Sequence, residues 1–334
     1  MSTNAHAWII IVNYRTADLV VECLRSLYPQ INELSGGRVL VIDNASGDGS
    51  VASLNHAVQR EGWTDWVNIL PLERNGGFSF GNNAGVRVAL ASPLSCNYLL
   101  LLNPDTLVRP NAIKALINFM DTRPDVGIAG SRLENVDGGV ECSAHRFYSP
   151  LSELLGGARL GILDRLFANH LATPSLRNEA HACDWVSGAS MIIRRKVFEQ
   201  IGFMDEGFFL YYEEVDFCHR ATVAGWGIWY VPDSIVMHME GAATGIRKPT
   251  RRPAYWYNSR RRYFTKNYGV TGLVLTDLLW ALGRLTYLAR RVTGLGAKGE
   301  SHDPKWFMFD VLWGDLRSIL NGQAWRIARN RDSS

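Results

Sequence analysis

The chain has 334 residues, of which 47% are hydrophobic and 20% charged, and its formal net charge is +3. This balance is ordinary for a globular protein and excludes a largely disordered chain. At roughly 150 residues per domain, the length allows one large domain or two modest ones. The chain has no uninterrupted apolar stretch of about 18 residues and no basic start of a secretory signal. The five cysteines are widely spaced and include no Cys-x-x-Cys pair, which predicts that the protein resides in a reducing cytoplasm.

Strand and helix patterns alternate through the first half of the chain. Residues 7–13 form a continuous apolar run, as expected for a strand buried on both faces. A helix with apolar residues at helical spacing follows over residues 18–28. Further strands are predicted at 38–43, 66–70, 97–102, 185–194, 226–230 and 235–239, and further helices at 79–91, 110–120 and 213–224. This alternation predicts an α/β fold with a mostly parallel central sheet flanked by helices, whereas residues 131–181 show no clear pattern.

Polar residues follow four successive predicted strands at the point where each strand ends. They are Asn13 with Tyr14 and Arg15, Asp43 with Asn44, Asn75 with Gly76 and Gly77, and Asn103 with Pro104 and Asp105. In open parallel sheets, ligands bind beyond the carboxyl ends of the strands. We therefore expect these residues to line one ligand site.

The glycine patterns exclude two common kinds of nucleotide site. G-x-x-x-x-G-K-[ST] does not occur, and the one G-x-G-x-x-G match, at residues 294–299, follows a helical pattern and no predicted strand, which disfavours P-loop enzymes and dinucleotide dehydrogenases. Asp43 has two interpretations: a cap for the turn at Ser46, or a carboxylate that accepts the N3–H of a uracil or thymine ring. Asn75 and Gly77 likewise belong either to a plain turn or to a loop where a nucleotide approaches the backbone.

Four carboxylates and a histidine suggest metal and acid–base chemistry. Asp105 suits a hard cation, because Mg²⁺ or Mn²⁺ often shares one or two carboxylates with substrate phosphates. His238, at the end of a predicted strand, is a second candidate ligand, although a lone histidine is usually structural. Glu213, Glu214 and Asp216 follow the aromatic run Phe-Phe-Leu-Tyr-Tyr. They form either an acidic helix N-terminus or a partly desolvated general base.

Six ordered motifs cover roughly residues 7–245: VNYRTADLVVECLRSL, VIDNASGDGS, RNGGFSFGNNAGVR, LLLNPDTLVRPNAI, the stretch from VSGASM to TVAGW, and VMHMEGAATG. In these motifs the chain resembles the inverting glycosyltransferases of family 2, which have the GT-A fold, and most closely their rhamnosyltransferase-like branch. The resemblance implies transfer of a sugar, with L-rhamnose from dTDP-rhamnose as the best expectation. It also implies Mn²⁺ or Mg²⁺ as cofactor, and a saccharide or polyprenyl-linked acceptor in bacterial surface-glycan synthesis.

The resemblance also implies roles for individual residues. Tyr14, Arg15, Asp43 and Asn75 match positions that hold the nucleotide of a dTDP- or UDP-sugar, and we expect Asn13 and Gly77 beside them. The stretch from Asn103 to Asp105 matches the DxD metal motif with Asn in place of the first acid. His238 matches a late histidine that coordinates metal or diphosphate. Glu214 matches the general base, with Glu213 and Asp216 as alternatives. Arg247 and Lys248 are expected to close over the diphosphate.

The C-terminal region differs from the rest of the chain in charge and pattern. From residue 241 onward there are 17 Lys and Arg against 6 Asp and Glu, whereas residues 1–240 carry 18 against 26. In residues 273–292, Asp277, Arg284 and Arg291 recur every seven positions on one helical face. Two interpretations remain: a helix packed on the catalytic domain, or a helix in the membrane interface anchored by Trp280 and Tyr287. Residues 305–320 are a second candidate for such an amphipathic helix.

The basic residues around 251–262 favour anionic phospholipid or a polyprenyl diphosphate over nucleic acid. We therefore expect a cytoplasmic protein, peripheral on the inner face of the plasma membrane. The expected division is a GT-A catalytic domain over residues 1–250, with a nucleotide-binding half to about 130 and an acceptor-binding half beyond it, and a helical region over 251–334. The alternatives are an inactive nucleotide-binding subunit and a nucleotidyltransferase. The sequence does not predict the oligomeric state.

Overall fold

The computed structural model describes residues 7–31, 38–92, 96–239, 241, 251–294 and 304–329. Two compact units form: the first from residues 1–145, 175–209 and 213–245, the second from residues 146–174, 210–212 and 246–334. Residues 146–174 thus join the C-terminal helices, and the functional boundary expected at residue 250 stays a prediction. Arg247 and Lys248 lie outside the described residues.

The elements in chain order, with α5, α6 and α9 to α11 in the second unit, are β1 Ala7–Asn13, α1 Ala17–Ile31, β2 Arg38–Asp43, α2 Ser50–Arg60, β3 Val67–Pro71, α3 Phe78–Ala91, β4 Tyr98–Leu102, β5 Thr106–Val108, α4 Ala112–Thr122, β6 Val126–Glu134, β7 Val140–Glu141, β8 Ala144–His145, α5 Pro150–Ala158, α6 Gly161–Leu166, β9 His181–Ala182, β10 Trp185–Val186, β11 Ser190–Arg194, α7 Arg195–Ile201, α8 Glu213–Val223, β12 Gly227–His238, α9 Ala254–Val292, α10 Phe307–Leu320 and α11 Gln323–Arg329.

The main sheet has the order β3-β2-β1-β4-β11-β6-β12-β5. Strands β3, β2, β1 and β4 are parallel, whereas β11 is antiparallel to both β4 and β6, and β5 is antiparallel to β12. The predicted α/β sheet flanked by helices is confirmed, with a parallel first half and a mixed second half. The four predicted strand ends therefore lie side by side at one edge of the sheet.

The central strands are apolar because both of their faces are covered. Every residue of β1 and of β4 is buried, and helices α1, α2 and α4 contribute to the same hydrophobic core. The two short strands predicted at 226–230 and 235–239 are instead the single strand β12, whose pairing with β6 shifts register between Val231 and Ile235. Pro232 lies at this irregularity, which explains why the pattern resembles two strands.

In the second unit, α9 carries a buried ion-pair network. The Arg260 guanidinium lies 2.9 Å from Glu153 and from Asp277, and Arg261 lies 2.5 Å from Asp315. The expected basic surface patch is therefore wrong for Arg260 and Arg261, because their charges are neutralised inside the unit. Burying such charges is tolerated only when they are paired and hydrogen-bonded.

The membrane-interface anchors expected in residues 273–292 are also wrong. Asp277 and Arg284 are buried, and so are the proposed anchors Trp280 and Tyr287. Among the described residues, α9 is the one helix with the length and hydropathy of a membrane span. A single helix of this kind is weak evidence for a span, because a packed helix of a soluble protein passes the same criteria.

Candidate functional site

The ends of β1 and β2 are joined by a hydrogen-bond network around Asp43. Asn13 and Asp43 are paired in register, and Asn13 Nδ2 donates to Asp43 Oδ1 over 2.7 Å. Ser46 Oγ donates to the same oxygen over 2.6 Å, and Ser46 N donates to Asp43 Oδ2 over 3.1 Å. Asp43 therefore caps the turn at Ser46, and its second interpretation, acceptance of a pyrimidine N3–H, stays a prediction. Ser46 was not among the predicted site residues.

Tyr14 and Arg15 lie exposed just beyond this network. Arg15 has a left-handed backbone, with φ of 60°, and its N–H donates to Ser46 Oγ over 2.9 Å. Its guanidinium donates to Ser46 O and lies 5.1 Å from the Tyr14 ring centroid. The loop thus presents an aromatic ring and a cation at the carboxyl edge of the sheet, where a nucleotide base and a phosphate are commonly bound.

Asn44 links the second strand end to the loop after β3. Its Nδ2 donates to Asn75 Oδ1 over 3.0 Å and to Gly77 O over 2.9 Å, while Gly77 N donates to Asn75 Oδ1. Asn75 and Gly77 are thereby held beside the Asp43 turn. Asn44 was part of the predicted strand-end pattern, but it was given no role of its own there.

Gly77 is required by a close approach of two backbones. It has φ of +90°, and a Cβ atom there would lie 2.7 Å from the carbonyl carbon of Phe209. The N–H of Phe78 donates to Phe209 O over 2.6 Å. Asn83 holds the same 204–209 segment by donating to Met204 O and accepting from Met204 N. The glycine therefore admits the chain that leads to Glu213.

Replacing Gly77 with alanine should destabilise the protein by roughly 2 kcal/mol or more, because a left-handed residue would gain a side chain against a backbone carbonyl. Gly49 is the control for positive φ alone, since it has φ of +89° with ψ of 1°, against ψ of −176° at Gly77, and a Cβ atom there would have no other atom within 4 Å. Chemical denaturation of both variants measures the difference. Equal losses in Gly77→Ala and Gly49→Ala would contradict the proposed clash with Phe209.

Asp105 and His238 are brought together by the pairing of β5 with β12. Thr106 is opposite His238 in this antiparallel pair, and Met239 N donates to Asp105 O over 2.9 Å. As a result, Asp105 Oδ1 lies 3.4 Å from His238 Nε2, and both side chains are almost fully buried. His238 Nδ1 accepts or donates no hydrogen bond within the described part of the chain.

A single loop contacts both the Asn103 turn and Glu214. Asn103 N donates to Ala189 O over 3.0 Å, and a Cβ atom on Gly188 would lie 3.8 Å from Glu214 Cβ. The buried Asn103 Oδ1 has no hydrogen-bond partner among the residues that the structure describes. The DxD-like turn and the acidic start of α8 therefore border the same loop, between β10 and β11.

The carboxylates of Glu213 and Glu214 have strongly perturbed acidities. Burial raises the pKa of Glu214 to about 7. Burial and the neighbouring Glu214 charge raise the pKa of Glu213 well above its ordinary value. Oε2 of each accepts no hydrogen bond from the described residues, and Glu214 is the more exposed of the two. Glu214 is thus the better placed to exchange a proton near neutral pH.

Asp216, the third acidic candidate, has a structural environment. Its Oδ2 lies 3.0 Å from Arg220 Nε, one turn along α8. The same guanidinium donates to the carbonyl oxygens of Ile201 and Phe203. Asp216 therefore helps fix α8 against the segment after α7, and its charge is already paired.

The residues just before Glu213 hold a strained backbone. Tyr211 and Tyr212 have φ of 72° and 69°, which costs roughly 1–3 kcal/mol for each such non-glycine residue. Both belong to the second unit, where the Tyr212 ring lies 5.2–6.3 Å from three aromatic rings, those of Tyr148, Tyr263 and Trp256. The strained backbone of Tyr212 thus accompanies close packing of its ring within the second unit.

Known proteins share both sequence and fold with this chain. An N-acetylglucosaminyl-diphospho-decaprenol L-rhamnosyltransferase of Mycobacterium tuberculosis is 29% identical over 73% of this chain and 79% of the relative. The dTDP-rhamnosyl transferase RfbF of Shigella flexneri is 24% identical over 85% of this chain and 88% of the relative.

The mannosyltransferase PcManGT of Pyrobaculum calidifontis, solved with GDP-Man and Mn²⁺, matches 99% of this chain and 85% of its own with a TM-score of 0.52 and 14% identity. Similarity at this level establishes the fold, and the expected GT-A fold is confirmed. Glycosyl transferase family 2 matches residues 8–202, which is more than half of the chain. The chain therefore belongs to glycosyl transferase family 2 and is a glycosyltransferase with rhamnosyltransferase relatives.

Proposed function

We propose that the protein is an inverting, metal-dependent glycosyltransferase that moves L-rhamnose from dTDP-rhamnose. The observation that carries the chemistry is the juxtaposition around one loop: Glu214, with a pKa of about 7, and the turn containing Asn103 and Asp105. The choice of donor is supported by the relatives in Mycobacterium tuberculosis and Shigella flexneri, which are a rhamnosyltransferase and a dTDP-rhamnosyl transferase.

A divalent cation, Mn²⁺ or Mg²⁺, fits the residues of this site. Asp105 and His238 offer an oxygen and a nitrogen 3.4 Å apart, close enough to ligate one ion, and the unpaired Asn103 Oδ1 lies on the same turn. No group of three His, Cys, Asp or Glu side chains suited to a metal occurs among the described residues. A bound cation would therefore take its remaining ligands from diphosphate oxygens and water, and would neutralise the leaving diphosphate.

Each residue of the site then has a proposed role. Tyr14, Arg15 and the loop fixed by Asp43 hold the nucleotide, and Asn75 and Gly77 shape the neighbouring wall. Glu214 accepts the proton of the acceptor hydroxyl as that oxygen attacks the anomeric carbon from the face opposite the diphosphate. Attack from that face inverts the configuration of the sugar. Arg247 and Lys248 remain proposed diphosphate ligands.

The proposed acceptor is a saccharide, most simply one carried on a polyprenyl diphosphate. The Mycobacterium tuberculosis relative supports this choice, because its acceptor is N-acetylglucosaminyl-diphospho-decaprenol by name. Such an acceptor is confined to a membrane. The protein would therefore work as a peripheral protein on the inner face of the plasma membrane, in surface-glycan synthesis.

A panel of nucleotide sugars tests the proposal. With Mn²⁺ or Mg²⁺ present, dTDP-rhamnose or another dTDP- or UDP-sugar should raise the melting temperature and be hydrolysed slowly. GDP- and ADP-sugars should do neither, because a carboxylate opposite the base matches a pyrimidine N3–H. The test uses the wild type and no Asp43 variant, because Asp43 also caps the turn at Ser46 and its replacement would disturb the loop itself. Binding without hydrolysis or transfer would favour an inactive binding subunit, and nucleotidyl transfer from a triphosphate would favour a nucleotidyltransferase.

A further inference from the structure

The second half of α9 has one covered face. Its buried residues recur at helical spacing and are Leu273, Thr276, Asp277, Trp280, Gly283, Arg284 and Tyr287. Helix α5 lies directly on this face, since a Cβ atom on Gly283 would lie 2.8 Å from the backbone nitrogen of Ala158. Arg290, farther along, donates to Ala158 O. The orientation of α9 about its own axis is therefore determined by backbone contact.

Two charged residues of this half of α9, Asp277 and Arg284, lie on this covered face, whereas Arg291 near the end of the helix is exposed. Asp277 is 2.9 Å from Arg260, which also contacts Glu153 of α5 and Asp315 of α10. The Arg284 guanidinium lies 4.8 Å from the Tyr287 ring centroid. Since Asp277 and Arg284 face inward, the opposite face of the helix carries mainly apolar side chains.

That opposite face is an exposed leucine stripe, which we define as Leu275, Leu278, Leu282, Leu285 and Val292. Their exposed fractions are 49%, 64%, 53%, 56% and 89%. Their spacing of three, four, three and seven residues places them on one side of the helix, over about 25 Å at 1.5 Å per residue. A continuous exposed apolar stripe of this length is unusual in a soluble protein and indicates an interaction surface.

Helices α10 and α11, which contact α9, add exposed aromatic and basic side chains. Trp306, Trp313 and Trp325 are 69%, 52% and 48% exposed. The exposed basic residues of this region are Lys305, Arg317, Arg326 and Arg329. Tryptophan favours the level of the lipid headgroups, and lysine and arginine favour anionic lipid. These properties match a membrane surface, whereas a second copy would bring like charges together.

We propose that the leucine stripe is the surface by which the protein lies on an anionic lipid bilayer, with α9 parallel to the membrane plane. A spanning orientation is disfavoured, because it would place the charged side chains of Asp277 and Arg284 inside the bilayer. The inference names the membrane-binding surface of the proposed transferase, and it rests on the proposed function only for the membrane-bound acceptor.

Vesicle flotation of the full chain tests this inference. The wild type should float with vesicles of phosphatidylglycerol and phosphatidylcholine and bind pure phosphatidylcholine more weakly. The triple variant Leu278→Gln, Leu282→Gln, Leu285→Gln should partition at least about tenfold less, because it removes apolar burial without adding charge. High salt should weaken the wild-type interaction without abolishing it. Val136→Gln, a 63% exposed position in the first unit, is the matched control and should float like the wild type.

Circular dichroism and the melting temperature of the triple variant should equal those of the wild type, which separates lipid binding from folding. Unchanged flotation of the triple variant, or complete release of the wild type by salt, would overturn the inference. So would a lipid-independent dimer that the three glutamines dissociate, because the stripe would then bind a second copy. Donor hydrolysis in the vesicle-free panel is a separate measurement, so failure of either proposal is seen independently.

Discussion

Replacing Glu214 with glutamine should lower the rate of sugar transfer by about 10²–10⁴-fold, the usual contribution of a general base. Glutamine keeps the shape of the side chain and cannot accept the proton of the acceptor hydroxyl. The nucleotide residues lie at the ends of β1 to β3, so the affinity for the nucleotide sugar should be retained. Transfer rates at saturating donor, together with calorimetric donor affinity, measure the two effects separately.

The raised pKa of Glu214 gives this prediction a second readout. In the wild type, kcat/KM should rise with pH through about 7, as Glu214 loses its proton, and the variant should lack this limb. The folded pKa lies above the ordinary value of 4.5, so the unfolded chain releases this proton first as pH rises. The wild type therefore loses stability between about pH 4.5 and 7. Glu214→Gln should consequently melt at a higher temperature than the wild type at pH 8, and the gap should close at pH 4.

Glu213→Gln is the matched control. Because burial and the Glu214 charge favour the protonated form of Glu213, a neutral glutamine resembles its native state. Transfer should therefore fall much less than in Glu214→Gln. If Glu213→Gln is inactive while Glu214→Gln transfers sugar normally, the wrong member of the pair has been assigned.

Replacing Asp105 with alanine should abolish the metal-dependent part of nucleotide diphosphate binding. Asp105 supplies the one carboxylate of the proposed cation site, and His238 alone would hold Mn²⁺ weakly in water. The contact between Asp105 O and Met239 N involves only the backbone, so β5 should remain paired with β12. Calorimetry of dTDP binding with Mn²⁺ and with a chelator measures the metal-dependent part directly.

The variant should bind dTDP in Mn²⁺ as weakly as the wild type does in the chelator. Asp137→Ala, in the exposed turn between β6 and β7, is the control for the loss of one carboxylate and should retain full metal dependence. Wild-type affinity of Asp105→Ala in Mn²⁺ would show that the cation binds elsewhere or that none is needed.

The sequence by itself determined the first half of the sheet and the edge that carries the nucleotide-side residues. Buried parallel strands such as β1 and β4 consist of continuous apolar runs, and the polar residues that follow them meet at one edge because parallel strands end together. The family was also identifiable, because its motifs occur in order over most of the chain. The apolar runs, the polar strand ends and the motifs are all features of short sequence segments, so none of these predictions required a long-range contact to be known.

The tertiary structure decided which of these residues meet across the chain. Asp105 and His238 are distant in sequence and lie 3.4 Å apart only because β5 pairs antiparallel with β12. Gly77 is required by the backbone of Phe209, a partner that no local pattern reveals. The perturbed acidity of Glu214 likewise comes from burial, which depends on everything packed around the start of α8.

Helix α9 shows most clearly the difference between what the sequence determines and what the tertiary structure decides. Helical periodicity correctly placed Asp277 and Arg284 on one face and the leucines on another, because 3.6 residues per turn group them in that way. The expectation that Trp280 and Tyr287 anchor the helix in the membrane interface was wrong, because both are buried. Periodicity separates the two faces of a helix without saying which one is covered. That choice was made by Arg260 and the backbone of α5, which offer paired charge and close contact on the face that carries Asp277.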